Sequence, residues 1–145
     1  MSEMLSRLHH VGVVVKNIEA SSAWYVRHLG FERLYTYEFP GVQAAFIGRC
    51  DLRIELFQTD GATPMPQERK RAETNLKIGG INHFAIAVAD LDGMVAALKE
   101  NGVEIVSSPR EVPNSGGERF AFIHDNEQML VELFQPKRKH SAIPV

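Results

Sequence analysis

The chain has 145 residues, 44% of them hydrophobic and 23% charged, with a formal net charge of -2. A chain of this size buries about two-thirds of the surface its unfolded form exposes, so it folds without disulfide staples, and its nearly balanced charge provides no field to gather nucleic acid or anionic lipid. One cysteine (Cys50), an N-terminus without the apolar core of a signal peptide, and no apolar run near the roughly 20 residues of a bilayer span predict a soluble cytoplasmic protein with neither a nucleic-acid nor a membrane partner.

Residues 8–16 read as a strand, crowded with Val11, Val13, Val14 and Val15 and closed by Asn17. A helix follows at 19–29, with Ala20, Ala23, Trp24, Val26 and Leu29 toward one face and Gly30 as its C-cap. Three strands near 31–38, 42–48 and 52–58 are separated by Pro40-Gly41 and by Gly48-Arg49-Cys50-Asp51. Residues 59–79, with Gly61, Pro64, Pro66 and the run Glu68-Arg69-Lys70-Arg71, read as an exposed linker whose charges solvate it, with one short helix around 67–74. From residue 80 the pattern begins again: strand 80–89, helix 91–101, and strands 103–108, 118–124 and 129–135, with a long loop at 109–117 of the kind that carries binding groups. The reading is α+β, a single domain over 1–145 made of two βαβββ modules at about 7–58 and 80–136.

The doubling is visible residue by residue. His10-Val11-Gly12-Val13-Val14-Val15 lies over His83-Phe84-Ala85-Ile86-Ala87-Val88, and Ile54-Glu55-Leu56-Phe57-Gln58 lies over Val131-Glu132-Leu133-Phe134-Gln135. Side chains alternate along a strand, so His83 shares a face with Ile81, Ala85 and Ala87, while Phe84, Ile86 and Val88 turn toward the helix. His10, the alignment partner of His83 in preference to His9, goes with Gly12 and Val14. Glu55 and Glu132 sit mid-strand between apolar neighbours, where an ionised carboxylate requires a cation or hydrogen bonds and otherwise takes up a proton. A lone strand histidine or glutamate is ordinarily structural. The same two at matched places in both copies mark His10, Glu55, His83 and Glu132 as ligands of a divalent cation (Ni, Co, Zn, Mn or Fe), with coordination positions left for substrate or water.

Other polar residues read as structural. His9 and His28 are expected at the surface, His124 on either face near a strand end, and His140 in a basic tail with Lys137, Arg138 and Lys139. Arg53 and Arg119 lie on strands of the cavity wall and read as surface salt-bridge partners before anion binders. There is no phosphate loop, nucleophile elbow or CxxC pair.

The openings LHHVGVVV and INHFAIAV, with the closings RIELFQ and LVELFQ, resemble the vicinal oxygen chelate superfamily over about residues 7–136. The resemblance implies a curved, incomplete β-barrel of two βαβββ modules around a metal. It also implies a range of functions: glyoxalase I, methylmalonyl-CoA epimerase, extradiol dioxygenase, fosfomycin resistance or metal-free bleomycin binding. The four ligand positions resemble the glyoxalase and epimerase branches. Val14 and Thr59 stand where glyoxalase I carries an arginine and an asparagine that help hold glutathione. Gly79-Gly80 and the Gly116-Gly117 loop leading into Phe120-Ala121-Phe122-Ile123-His124 resemble the epimerase branch, although Asp125 replaces its usual proline. The implied activity is that of a metal-dependent isomerase or lyase removing a proton beside the carbonyl of a small 2-oxo compound or acyl thioester. Glu132, or Glu55 after it, is the expected base, and the expected assembly is a homodimer whose metal site closes within one chain or across two. A small extradiol-type dioxygenase and a non-catalytic small-molecule binding protein are the alternatives.

Overall fold

The computed structural model describes residues 4–138. These divide between Met65 and Pro66 into two compact units, each a four-stranded mixed sheet with one long helix. The first unit runs β1 (Val11–Val14), α1 (Ile18–Leu29), β2 (Glu32–Phe39), β3 (Val42–Arg49) and β4 (Leu52–Thr59). Its sheet order is β1-β4-β3-β2, with β1 parallel to β4 and the other pairings antiparallel. The second unit opens with a 3-10 turn (Gln67–Lys70) and α2 (Ala72–Asn75), then repeats the plan as β5 (Phe84–Ala87), α3 (Leu91–Glu100), β6 (Ile105–Glu111), β7 (Arg119–His124) and β8 (Leu130–Gln135), in sheet order β5-β8-β7-β6. The α+β class and the doubled βαβββ order are those the sequence predicts. Among the described residues no helix is long and apolar enough to cross a membrane.

The same local devices build both units. Asn17 accepts a hydrogen bond from the Ala20 N–H at 2.9 Å and Asp90 one from the Gly93 N–H at 3.1 Å, so each helix begins on a side-chain cap. A second acceptor reaches in from the sheet: Gln58 Oε1 receives the Ile18 N–H at 2.7 Å and Gln135 Oε1 the Leu91 N–H at 2.8 Å. The glutamine closing each ELFQ motif therefore ties its helix to the strand three positions after its glutamate. Gly30 ends α1 in the left-handed region (φ 67), its N–H bonded to the Tyr25 carbonyl.

One face of each sheet packs under its helix. Ala45, Ile47, Ile54 and Leu56 form that row in the first unit, and Ala121, Ile123, Val131 and Leu133 in the second, all buried. Complete burial of an Ile54 or Leu133 side chain is worth roughly 1.5–3 kcal/mol, so these rows hold the sheets together and leave the opposite faces available for polar groups.

Four sequence expectations are corrected. The strands at 8–16 and 80–89 shorten to Val11–Val14 and Phe84–Ala87, because the parallel ladders with β4 and β8 span only those residues; His10 and His83 each stand one position ahead of their strand. The buried face of α1 is Ser21, Ser22, Tyr25 and Leu29, with Ala20, Ala23 and Val26 exposed. Hydropathy misplaces it because small serines let the helix approach the sheet. The loop at 109–117 begins later, since β6 continues through Pro109 to Glu111. Proline is tolerated there because β6 is an edge strand, and the register shifts between Ser107 and Arg110. The stretch 66–79 is no free linker but part of the second unit. Arg69 donates to Asn75 Oδ1 at 3.0 Å and to the carbonyls of Ile81 and Gly79 at 3.0 and 3.2 Å, instead of merely solvating the segment.

Candidate functional site

Register places each glutamate on the sheet face away from the helix. On β4, Ile54, Leu56 and Gln58 turn toward α1, so Glu55 takes the other side; its neighbours across the ladders are Gly12 on β1 and Phe46 on β3. Glu132 repeats this between Ala85 on β5 and Phe122 on β7. Glycine and alanine beside the carboxylates keep that face shallow. The large β1 and β5 residues Val11, Val13, Phe84 and Ile86 are the more covered, and Gly12, Val14, Ala85 and Ala87 the exposed ones, as the alternation predicts.

The structure brings the predicted residues together as two pairs. In the first unit His10 Nε2 lies 3.0 Å from Glu55 Oε2, with the side chains 35% and 11% exposed. In the second, His83 Nε2 lies 2.7 Å from Glu132 Oε2, with the side chains 30% and 13% exposed. Each histidine rests edge-on against an aromatic ring of the same unit: His10 on Phe46 at 5.2 Å and 81°, His83 on Phe122 at 5.0 Å and 87°. Among the described residues no group of three or more His, Cys, Asp or Glu is gathered closely enough to hold a metal ion, so each pair by itself is a two-donor fragment.

The donor chemistry of these fragments fits a divalent cation. Bonds of about 2.0–2.2 Å to imidazole nitrogen and carboxylate oxygen put neighbouring donors roughly 3 Å apart. The His10–Glu55 spacing already has that value, and the His83–Glu132 spacing needs to open by only a few tenths of an ångström.

Beyond the repeated core the two units differ. Tyr37 on β2 donates its hydroxyl to Glu55 Oε1, an interaction that, ahead of burial and the nearby Glu55 and Tyr35 charges, pushes the phenol up to about 12. Both oxygens of Glu55 are thus engaged. Glu132 uses Oε2 on His83 and makes no hydrogen bond through Oε1 among the described residues. The place that Tyr37 holds opposite Ala44 is held in the second unit by Arg110 opposite Phe120, whose guanidinium carbon lies 4.9 Å from the centre of the Phe120 ring. Phe120 is 6.0 Å from Phe122, so a row of cation, two rings, imidazole and carboxylate crosses this face. Arg110 forms no ion pair among the described residues.

Sequence reasoning missed Phe46, Phe122, Tyr37 and Arg110. The rings were legible, because Ala45-Phe46-Ile47 repeats as Ala121-Phe122-Ile123. Tyr37 and Arg110 carry no shared letter and become equivalent only through strand pairing. Of the weaker candidates, Arg119 forms the expected salt bridge, two bonds to Asp92 at 2.7 and 2.9 Å; Arg53 makes none among the described residues. His124 is structural, held by Glu104 at 2.9 Å and the Lys70 carbonyl at 2.7 Å. His28, expected at the surface, is half-covered and packs on Trp24 at 5.2 Å; burial, then the Arg27 charge, pulls it below the usual imidazole range. His9 is exposed as expected, yet its Nδ1 lies 2.8 Å from His10 Nδ1. Lys139 and His140 lie outside the described residues.

A family model described as Glyoxalase/Bleomycin resistance protein/Dioxygenase superfamily matches residues 7–133. The uncharacterized protein YwkD of Bacillus subtilis is 31% identical over 135 residues, covering 91% of this chain and 98% of that protein. The ethylmalonyl-CoA/methylmalonyl-CoA epimerase of Cereibacter sphaeroides is 31% identical over 137 residues, covering 91% and 99%. A glyoxylase/bleomycin resistance protein/dioxygenase domain from Frankia sp. EAN1pec shares the fold with a TM-score of 0.74 at 21% identity, covering 94% of this chain and 96% of that one.

Proposed function

The chain belongs to the Glyoxalase/Bleomycin resistance protein/Dioxygenase superfamily, and from that premise we propose that it is a metal-dependent isomerase or lyase of the epimerase kind. In this reading each of the pairs His10–Glu55 and His83–Glu132 supplies ligands to a divalent cation, and the enzyme removes a proton beside the carbonyl of an acyl thioester or 2-oxo compound. The observation that carries the proposal is the recurrence, in both units, of one histidine nitrogen and one glutamate oxygen within 3.0 Å on the sheet face away from the helix.

A bound cation would supply Lewis acidity toward the carbonyl oxygen, where the charge of an enolate develops. The chain's own residues account for the rest. Glu132 is the base: its Oε1 is available to take and return the proton of the carbon acid, whereas Glu55 has both oxygens occupied by His10 and Tyr37. The Glu132 side chain, 13% exposed and paired across the ladder with Phe122, is largely shielded from water without being sealed. Arg110, spread over Phe120 with no acidic partner of its own among the described residues, meets an anionic substituent of the substrate such as a carboxylate. The likeness to an enzyme named for ethylmalonyl-CoA and methylmalonyl-CoA, both carrying a carboxylate on the acidic carbon, favours substrates of this class.

The test is hydrogen exchange. Protein reconstituted with Co, Ni, Mn or Zn in deuterated buffer should place deuterium on the acidic carbon of methylmalonyl-CoA, read by mass spectrometry, and Glu132→Gln should abolish it. Absence of exchange with malonyl-type thioesters and 2-oxo compounds alike, by protein that holds metal, overturns the proposal.

A further inference from the structure

A histidine that binds a metal through Nε2 must carry its proton on Nδ1, and a free imidazole favours the opposite tautomer, so something has to accept from Nδ1. In the second unit that atom meets the residue immediately before it: His83 Nδ1 lies 2.7 Å from Asn82 Oδ1. Asn82 is itself anchored. Its carbonyl accepts from Asn75 Nδ2 at 2.8 Å, and Asn75, only 1% exposed, receives the Arg69 guanidinium on Oδ1 at 3.0 Å. Arg69 also holds the carbonyls of Gly79 and Ile81 on the approach to Asn82, while His124 fastens the Lys70 carbonyl at 2.7 Å. The segment before β5 is therefore pinned at several points, and its last side chain ends on the imidazole.

We propose that Asn82 is a positioning residue that fixes the ring orientation and Nδ1–H tautomer of His83, and that Arg69 and Asn75 form the clasp that presents it. Resting on the metal-dependent reading above, this gives residues 69–82 a role in building the site. The arrangement has a counterpart in the first unit, where the preceding residue, His9, likewise meets Nδ1 of His10 at 2.8 Å. There the contact is exposed, and among the described residues no hydrogen-bonded clasp like that of Arg69 and Asn75 stands behind it. Asn75 is a helix-end residue with a buried amide, and Arg69 is one member of a charged run; neither is singled out until the chain folds back on itself.

Two measurements test the proposal, the first without any metal. In Glu132→Ala, Asn82 is the sole remaining polar partner of the His83 ring among the described residues. Long-range 15N–1H NMR of that variant at a fixed alkaline pH should show His83 protonated on Nδ1. Adding Asn82→Ala should revert the ring to the Nε2–H form, and adding Asn82→Asp, which keeps the acceptor, should leave it on Nδ1. The second measurement is zinc affinity by competition with a chromophoric chelator, in an otherwise unaltered chain. Asn82→Ala should weaken binding about 10- to 100-fold, the usual effect of losing a ligand's outer partner, with Asn82→Asp within a few-fold of the parent. Should Asn82→Ala fail to fold, Asn75→Ala releases the clasp while leaving Asn82 in place, and should give a mixture of tautomers. An unchanged His83 tautomer in both the Asn82→Ala and Asn75→Ala variants overturns the proposal. A tautomer shift in a protein that binds no zinc leaves the positioning role standing and removes the metal-dependent reading.

Discussion

Gln58 and Gln135 offer a quantitative test of how the repeat builds its helices. Each is half-buried and accepts the first N–H of α1 or α3 on its side-chain oxygen, at 2.7 and 2.8 Å. Replacing either with alanine leaves a helix-terminal donor to find water in a partly covered position. The loss then sits at the lower end of the range for an abandoned hydrogen bond, about 1 kcal/mol for each site. The two sites share no partner, so the double variant should lose about 2 kcal/mol. For a chain of this length that is a fall in Tm of roughly 3–4 °C per substitution, measurable by urea titration and by thermal melts followed by circular dichroism. Glutamate at the same positions is the discriminating arm. It keeps the acceptor and adds a negative charge at a helix N-terminus, where an anion is stabilising by about 0.3–1 kcal/mol, so Gln58→Glu and Gln135→Glu should equal or exceed the parent near neutral pH. Glutamate variants as unstable as the alanine ones would refute the reasoning, showing that the amide NH2 or simple packing matters and the oxygen does not.

Three further outcomes follow from the site and its surroundings. Elemental analysis after zinc reconstitution should find bound metal reduced in both Glu55→Ala and Glu132→Ala, with hydrogen exchange surviving partly in the first and not in the second; equal loss of exchange in both would remove the distinction between the glutamates. Arg110→Ala should raise KM for methylmalonyl-CoA about tenfold, or about 1.4 kcal/mol, while leaving kcat within a few-fold, and Arg119→Ala should leave both unchanged because its guanidinium is committed to Asp92. Finally, the Arg119 guanidinium bonded to Asp92 holds that carboxyl below its usual value of 3.8. The ion pair's contribution to stability is then fully present above that ordinary value and disappears as pH falls through the lower folded-state one. Thermal melts of Asp92→Asn should therefore fall below the parent at pH 6 and converge with it in acid, once the lowered Asp92 carboxyl is protonated in the folded protein; a gap that persists in acid would show that the pair acts by packing and not by charge.

Periodicity and repetition made most of the architecture legible. The βαβββ order, the end of α1 at Gly30 and the choice of one histidine and one glutamate in each copy are written locally, in alternation, a capping glycine and two copies of the same motif. What escaped that reading depends on contacts between segments. Ser21 and Ser22 are polar by composition but sit against the sheet, Pro109 looks like a loop residue until β6 is seen to be an edge strand, and Arg69 looks like one solvated charge among four until its partners come into reach.

The same division holds for the site. The sequence by itself singled out the proposed donors, because His10, Glu55, His83 and Glu132 fall at matched places and strand alternation sends each glutamate away from its helix. Only the tertiary structure decided what surrounds them. Tyr37 reaches Glu55, Arg110 lies over Phe120, and Asn82 is presented to His83 from a buried Asn75. Those relations arise from register between neighbouring strands and from a segment folding back on its own unit. Neither leaves a period in the chain, since hydrogen-bond partners are chosen by distance in space, and local pattern reports only distance along the sequence.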